Sequence, residues 1–190
     1  MAIFTDFDAI PRLRYGLIKA DPPWLFRNWS KAGERKNPNA HYACMSLDDI
    51  KQLPVSHLAA PDCALWLWAT NPMLPQALDV MAAWGFQFKT AGHWVKRTKN
   101  GHLAFGTGYC LRSAGEPFLI GTIGKPKFAR NVRSIVDAKA REHSRKPEEA
   151  YEAARALVGD VPRLELFSRE EREGFDVFGD EVGKFEGEEA

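Results

Sequence analysis

Only three cysteines occur in the 190 residues, Cys44, Cys63 and Cys110, with no Cys-x-x-Cys spacing. An odd, scattered set argues against both a disulfide framework and a zinc ribbon, and no metal is expected. No apolar stretch approaches membrane-spanning length. The start Met-Ala-Ile-Phe-Thr-Asp-Phe-Asp has no basic region followed by an apolar one, so a cytoplasmic protein without a membrane partner is expected. Repeats, low-complexity tracts and clear linkers are missing as well, which leaves a single domain over residues 1–190. The glycine cluster Gly106-Thr-Gly108 lacks the third glycine, the following helix and the later acid of a dinucleotide fingerprint.

What is present is an ordinary balance for a folded chain, 45% hydrophobic and 27% charged. Six Trp and twelve Phe are enough to fill a core, line a pocket, or both. The net charge of +1 conceals an asymmetry. From Glu165 onward there are ten acidic and three basic residues, a balance of −7, so the remainder carries +8. A basic body suits a polyanionic ligand, although dispersed lysines also make an ordinary solvated surface.

Apolar runs at 15–20, 64–70, 86–95, 116–122 and 163–167 read as strands. Ser46-Leu-Asp-Asp49 resembles a capping box and opens a short helix to about Leu53. Asn71-Pro72 introduces a helix from Met73 to Trp84, ended by Gly85. Lys146 to Val158 carries Tyr151, Ala154 and Leu157 at helical spacing. Residues 25–42 and 96–108 read as loops. Residues 124–145 are basic, with a brief apolar patch at Ile135-Val136, and an acidic tail follows Phe167. Strands alternating with helices predict a three-layer α/β fold with a mostly parallel sheet.

Asp21-Pro22-Pro23-Trp24 closes the first of these strands. An Asp at the carboxyl end of a buried strand sits where open α/β sheets place their ligand crevice. Two prolines fix two φ angles and hence the direction of the local carbonyls. An ionised Asp and a proline carbonyl are both acceptor-only groups, and Trp24 offers a flat ring. Together they suit the grip of an exocyclic amine on an aromatic ring. Two acceptors on the two amine hydrogens draw the nitrogen towards tetrahedral geometry and free its lone pair for attack. The alternative is a strand-ending turn with Asp as its cap and Trp in the core.

Several further segments follow in a fixed order. They are His41-Tyr-Ala-Cys-Met-Ser46, Leu65-Trp-Leu-Trp68, Trp94-Val-Lys96, Gly108-Tyr109 with Arg112 and Glu116, His143-Ser-Arg-Lys-Pro-Glu-Glu149, and Glu165-Leu-Phe-Ser-Arg169. With the tetrapeptide, this order resembles the MT-A70 family of adenine-N6 methyltransferases, over about residues 17–182. The resemblance implies a Rossmann-like class I methyltransferase fold with circularly permuted motif order. The catalytic region would span 15–42, ahead of the cofactor-binding segment at about 143–182. It implies S-adenosylmethionine as cofactor and adenine in nucleic acid as substrate, DNA ahead of RNA because small members with this pattern look bacterial or phage-like.

In that reading Asp21, Pro22, Pro23 and Trp24 are catalytic. Asp21, Lys146, Phe167, Arg169, Asp180 and Glu181 contact the cofactor. Arg27, Trp29, His41, Tyr42, Lys96, Arg112 and Glu116 contact the substrate. The chain departs from the family pattern at Asp180, where an Asn is usual, and at Gly174-Phe175, where many members have Gly-Trp. On residue type alone, Arg112–Glu116 is a structural salt bridge, Lys146 a surface lysine and Arg169 a partner of Glu170 or Glu171. Arg27, Lys31, Arg35 and Lys36, with Lys96, Arg97 and Lys99, supply phosphate contacts that carry no sequence information. Three readings stay open: a DNA enzyme, an RNA enzyme, and a non-catalytic nucleic-acid-binding partner subunit, with a homodimer also possible.

Overall fold

The computed structural model describes residues 1–24, 44–108, 110–141, 145–179 and 182. Their strands are β1 (Ile3–Phe4), β2 (Tyr15–Ala20), β3 (Ala59–Trp68), β4 (Gln87–Arg97), β5 (Gly115–Ile123), β6 (Ile135–Lys139), β7 (Arg163–Leu166) and β8 (Asp176–Phe178). The α-helices are α1 (Leu47–Gln52), α2 (Leu74–Ala83) and α3 (Glu148–Val158). The eight strands form one sheet in the order β1-β8-β7-β2-β3-β5-β4-β6. Most neighbours run parallel, but β5 is antiparallel to both β3 and β4. Among the described residues no helix is long and apolar enough to cross a membrane.

Helix boundaries follow local chemistry. The Ser46 side chain accepts the Asp49 amide and caps α1. Pro72 sits in a 3-10 turn, Asn71–Met73, that leads into α2. Gly85 then takes φ +80, a left-handed conformation that ends the helix without a Cβ clash. Trp84 ties α2 to α1 by donating its indole N–H to the Ile50 carbonyl at 2.7 Å.

Alternation along the central strands sorts side chains onto two cores. Ile18, Ala20, Leu65 and Leu67 face α1 and α2, with Trp24, Val80 and Met81. Leu17, Trp66, Trp68, Trp94 and Phe118 face α3, with Tyr151 and Ala154. Trp66 and Phe118 stack at 4.0 Å, a contact worth about 1 kcal/mol beyond the area it buries. Both faces of β2 and β3 are covered, as their unbroken apolar runs require.

Three strands are additional to the five expected from sequence. β1 and β8 are two and three residues long, too short for any periodicity to register. β6 alternates exposed and buried along Ile135-Val-Asp-Ala-Lys139. Among the described residues it pairs only with β4, as a charged edge strand that blunts further pairing.

Candidate active site

Alternation also builds the site. Lys19 and Asp21 lie two residues apart, so they share the α3 face of the sheet with Leu17. Lys19 is level with Glu165 on β7. On the other side, Glu116 and Phe118 of β5 and Trp94 and Lys96 of β4 face the same way. Because β5 is antiparallel, its beginning lies level with the carboxyl ends of its neighbours. Glu116 therefore reaches the crevice where Asp21 emerges.

Four charged groups connect across that crevice. Lys146, two residues before the start of α3, places its Nζ 2.9 Å from Asp21 Oδ2 and 2.6 Å from Glu116 Oε1. The other Glu116 oxygen accepts from Lys96 Nζ at 2.8 Å. The Lys146 ammonium also sits 5.1 Å from the centre of the Trp68 ring. Only 6% of its side chain is exposed, against 23% for Asp21. Burial works against charge on Lys146, but the Asp21 and Glu116 carboxylates outweigh it and raise its pKa. Burial also pushes Glu116 upward, yet Lys146 and Lys96 overcome it and hold the carboxyl at about 2. For Asp21 burial wins over Lys146, and its pKa is raised. One lysine thus keeps a carboxylate pair in place while Asp21 is poised to take a proton more readily than an exposed Asp.

Beneath this row lies a second one that motif reading missed. Lys19 is fully buried and donates to Glu165 Oε1 at 2.9 Å. Tyr151 donates to the same oxygen at 2.8 Å, and Ser168 donates to Oε2 at 3.2 Å. The Lys19 ammonium lies 3.7 Å from the centre of the Tyr151 ring and 5.6 Å from that of Trp68. Burial lowers the Lys19 pKa despite Glu165, and burial followed by Glu165 raises that of Tyr151. The available signal was a lysine inside one apolar run and a glutamate inside another.

The cleft between these rows is lined by Asp21, Lys146, Phe167, Ser168 and Arg169, among others. Phe167 has φ +64, uncommon for a bulky side chain, and bends the chain sharply out of β7. Its ring stands edge-on to Phe178. Phe175, where a Trp is usual, is a core residue edge-on to Tyr151 at 5.7 Å.

The structure thus brings together Asp21, Lys96, Glu116, Lys146, Phe167 and Arg169. Pro22 and Pro23 fix the turn: Pro22 accepts the Trp24 amide at 2.8 Å and Pro23 the Met45 amide at 3.1 Å. A carbonyl has two lone pairs, so Pro22 retains one for another donor. Trp24 is 5% exposed and packs in the α1–α2 core, so it supports the turn from beneath. Arg112 does not bridge to Glu116, whose two oxygens are held by lysines. It is exposed and lies 5.6 Å from the Phe105 ring centre. Lys146 is buried rather than a surface lysine. Glu170 pairs with Arg145 and Arg172. Arg27, Trp29, His41, Tyr42, Asp180 and Glu181 lie outside the described residues, as do Lys31, Arg35 and Lys36. No group of three or more His, Cys, Asp or Glu placed to hold a metal occurs among the described residues.

Comparison with known proteins places this arrangement in context. The family described as MT-A70 matches residues 15–181. The Type II methyltransferase M.MunI of Mycoplasma sp is 28% identical over 93% of this chain and 81% of its own length. The N(6)-adenine-specific methyltransferase METTL4 of Homo sapiens is 29% identical over 92% of this chain, which spans 39% of that protein. The N6-methyladenosine RNA methyltransferase MTA1 of Cryphonectria parasitica is 31% identical over 90% of this chain, and 53% of that protein is covered.

Proposed function

This chain belongs to the MT-A70 family, and on that premise we propose that it methylates the N6 amino group of adenine in DNA. The observation that carries the reading is Asp21, held 2.9 Å from Lys146 at the carboxyl end of β2, beside a cleft bounded by the Phe167–Arg169 turn. The residues suit S-adenosylmethionine: Lys146 is a buried cation for a carboxylate, and Phe167 is an apolar wall beside Ser168 and Arg169. When bound, that cofactor supplies an electrophilic methyl group.

The chain's own residues do the rest. Asp21 accepts one hydrogen of the adenine amine and the free lone pair of the Pro22 carbonyl accepts the other. The nitrogen lone pair is thereby released from the ring and aimed at the methyl carbon. As the new N–C bond forms, the nitrogen becomes cationic. One of its protons then leaves by way of Asp21, whose raised pKa favours taking it, or directly to water. Lys146 and Glu116 hold Asp21 in orientation. The positive loops bind phosphate, and the adenine leaves its stack to reach the crevice.

DNA is favoured by the match to M.MunI, which includes most of that protein's length. RNA is the second reading, favoured by the 31% identity to MTA1. The test is Asp21→Ala, assayed with labelled cofactor on DNA and RNA of matched sequence, with calorimetry of S-adenosylmethionine alone. The expected result is methylation of DNA by the native protein, none by the variant, and cofactor binding by both. Methylation by Asp21→Ala would sink the mechanism. Absence of cofactor binding by the native protein would return the chain to a non-catalytic binding role.

A further inference from the structure

The segment from Thr98 to Ala114 joins β4 to β5, whose Lys96 and Glu116 belong to the site. Hydrogen bonds tie together its described residues, 98–108 and 110–114. Thr98 donates to the His102 carbonyl, Ala104 to that of Lys96 and Gly106 to that of Ser113, at 2.8, 2.9 and 2.8 Å. These described residues present three large apolar side chains to solvent: Leu103 is 56% exposed, Phe105 82% and Leu111 84%. Elsewhere, exposed large apolar residues are scattered along the chain, and single ones are ordinary. Three on one rim of a crevice are not.

The segment's own charge is of one sign, although Lys96 and Arg97 at its base pair with Glu116 and Asp137. Between residues 96 and 115 stand Lys96, Arg97, Lys99 and Arg112, with no Asp or Glu. Arg112 lies over the Phe105 ring at 5.6 Å, so a cation brackets the most prominent aromatic. The core of a protein–protein interface is depleted of Lys, Asp and Glu, although Arg is enriched there. Apolar tips flanked by cations instead match a duplex, whose phosphates take the cations while the tips enter the base stack. Ala104 bonds directly to the Lys96 backbone, so Phe105 begins one residue from a group of the active-site row.

From this we infer that Phe105 and Leu111 form a wedge that enters the DNA duplex and fills the space vacated by the adenine swung towards Asp21. The inference rests on the DNA reading of the same site. Removing a base from the stack costs a few kcal/mol, least where the base is already unpaired. The wedge offsets that cost by restoring stacking in the gap. Its value therefore depends on whether the target adenine is paired.

The test compares the full chain with Phe105→Ala/Leu111→Ala and with Phe105→Leu, which keeps an apolar tip. Methylation is measured on a matched duplex, on the same duplex with an abasic site opposite the target adenine, and on the single strand. The target sequence is read from methylated adenines in DNA of cells expressing the protein. The double variant should lose about tenfold or more in kcat/KM on the matched duplex. The loss should shrink to under about twofold where the adenine is unpaired, and Phe105→Leu should recover most of the duplex rate. An equal loss on all three substrates, or none on the duplex, would overturn the wedge. So would a native dimer that the double variant converts to monomer with substrate preference unchanged, since the tips would then serve a second copy of the chain. A native protein that binds cofactor yet methylates none of the three DNAs refutes the DNA reading itself.

Discussion

Two buried lysines lie near the Trp68 ring and come out opposite. Lys19 lies 5.6 Å from the ring centre and Lys146 5.1 Å, and burial opposes charge on both. Burial wins at Lys19, lowering its pKa, and loses at Lys146, where the pKa is raised. The difference is the number of carboxylates. Lys19 has Glu165, whose oxygens also receive Tyr151 and Ser168. Lys146 has Asp21 and Glu116. The lower row is buried, Lys19 completely and Glu165 to within 5%, with Tyr151 and Glu165 lining the base of the cleft. The upper row balances two ammonium groups against two carboxylates, and Asp21 remains 23% exposed at the mouth of the crevice. The first is a floor, and the second is equipped to meet a ligand.

The largest expected effect separates the rows by activity. Asp21→Asn keeps the shape but removes one acceptor and the charge, and should lower single-turnover methylation by about three orders of magnitude. Lys19→Met should lower it by less than about tenfold, because no reacting atom touches it. Comparable losses would break the distinction.

Next comes stability. Lys146→Met takes the ion-pair partner from Asp21 and leaves Glu116 with Lys96 alone, a loss of about 3–5 kcal/mol in urea unfolding. Lys19→Met leaves Glu165 with two donors and should cost about 1–3 kcal/mol. Reversal of that order would show that the floor, not the mouth, needs its cation more.

Acid sharpens the comparison within the upper row. Glu116 is held at about 2 against an ordinary 4.5. The unfolded chain therefore binds more protons between those values. The stability contributed by Glu116, roughly 3 kcal/mol, is present above pH 4.5 and lost as pH falls towards 2. Asp21 has the opposite sign: its pKa is raised, so the folded state holds the extra proton, and stability falls as pH rises through the folded value. Glu116→Gln should flatten the acid side of a melting-temperature profile between pH 5 and 2 measured alongside the native protein. An unchanged slope would remove Glu116 from the account.

The smallest effect is expected for the lower row replaced as a unit. Lys19→Met/Glu165→Leu/Tyr151→Phe removes both charges and the hydroxyl together, and should stay within about 1 kcal/mol of the native stability. A much larger loss would mean that the floor owes its stability to charge.

The two rows also differed in legibility. Asp21, Glu116 and Lys146 were found because each stands inside a short ordered motif. Lys19 stands in no motif, and Glu165 opens the Glu165–Arg169 motif without its role being readable, because their pairing depends on β2 and β7 lying in register, which nothing local specifies. Parity within β2 was readable, since Lys19 and Asp21 must share a face. The reversal of β5 had a signal too: 98–114 shows no helical period, and a parallel return needs a crossover, usually a helix. Trp24 divided the outcomes, its place in the turn foreseen and its burial decided by α1 and α2. The edge strands β1, β6 and β8 are too short or too charged to outweigh their loop-like composition.

The pairing of Lys19 with Glu165 joins positions 146 residues apart, and this governs the birth of the protein. At ordinary rates of synthesis, Lys19 emerges on the order of ten seconds before its counter-ion exists. Until then β2 lacks β7 beside it and a partner for a lysine destined for complete burial. A ribosome-bound fragment carries the whole Asp-Pro-Pro-Trp turn and no crevice in which to use it. Truncation at any point before Glu165 should therefore yield a chain for the proteases, and not a weakened enzyme.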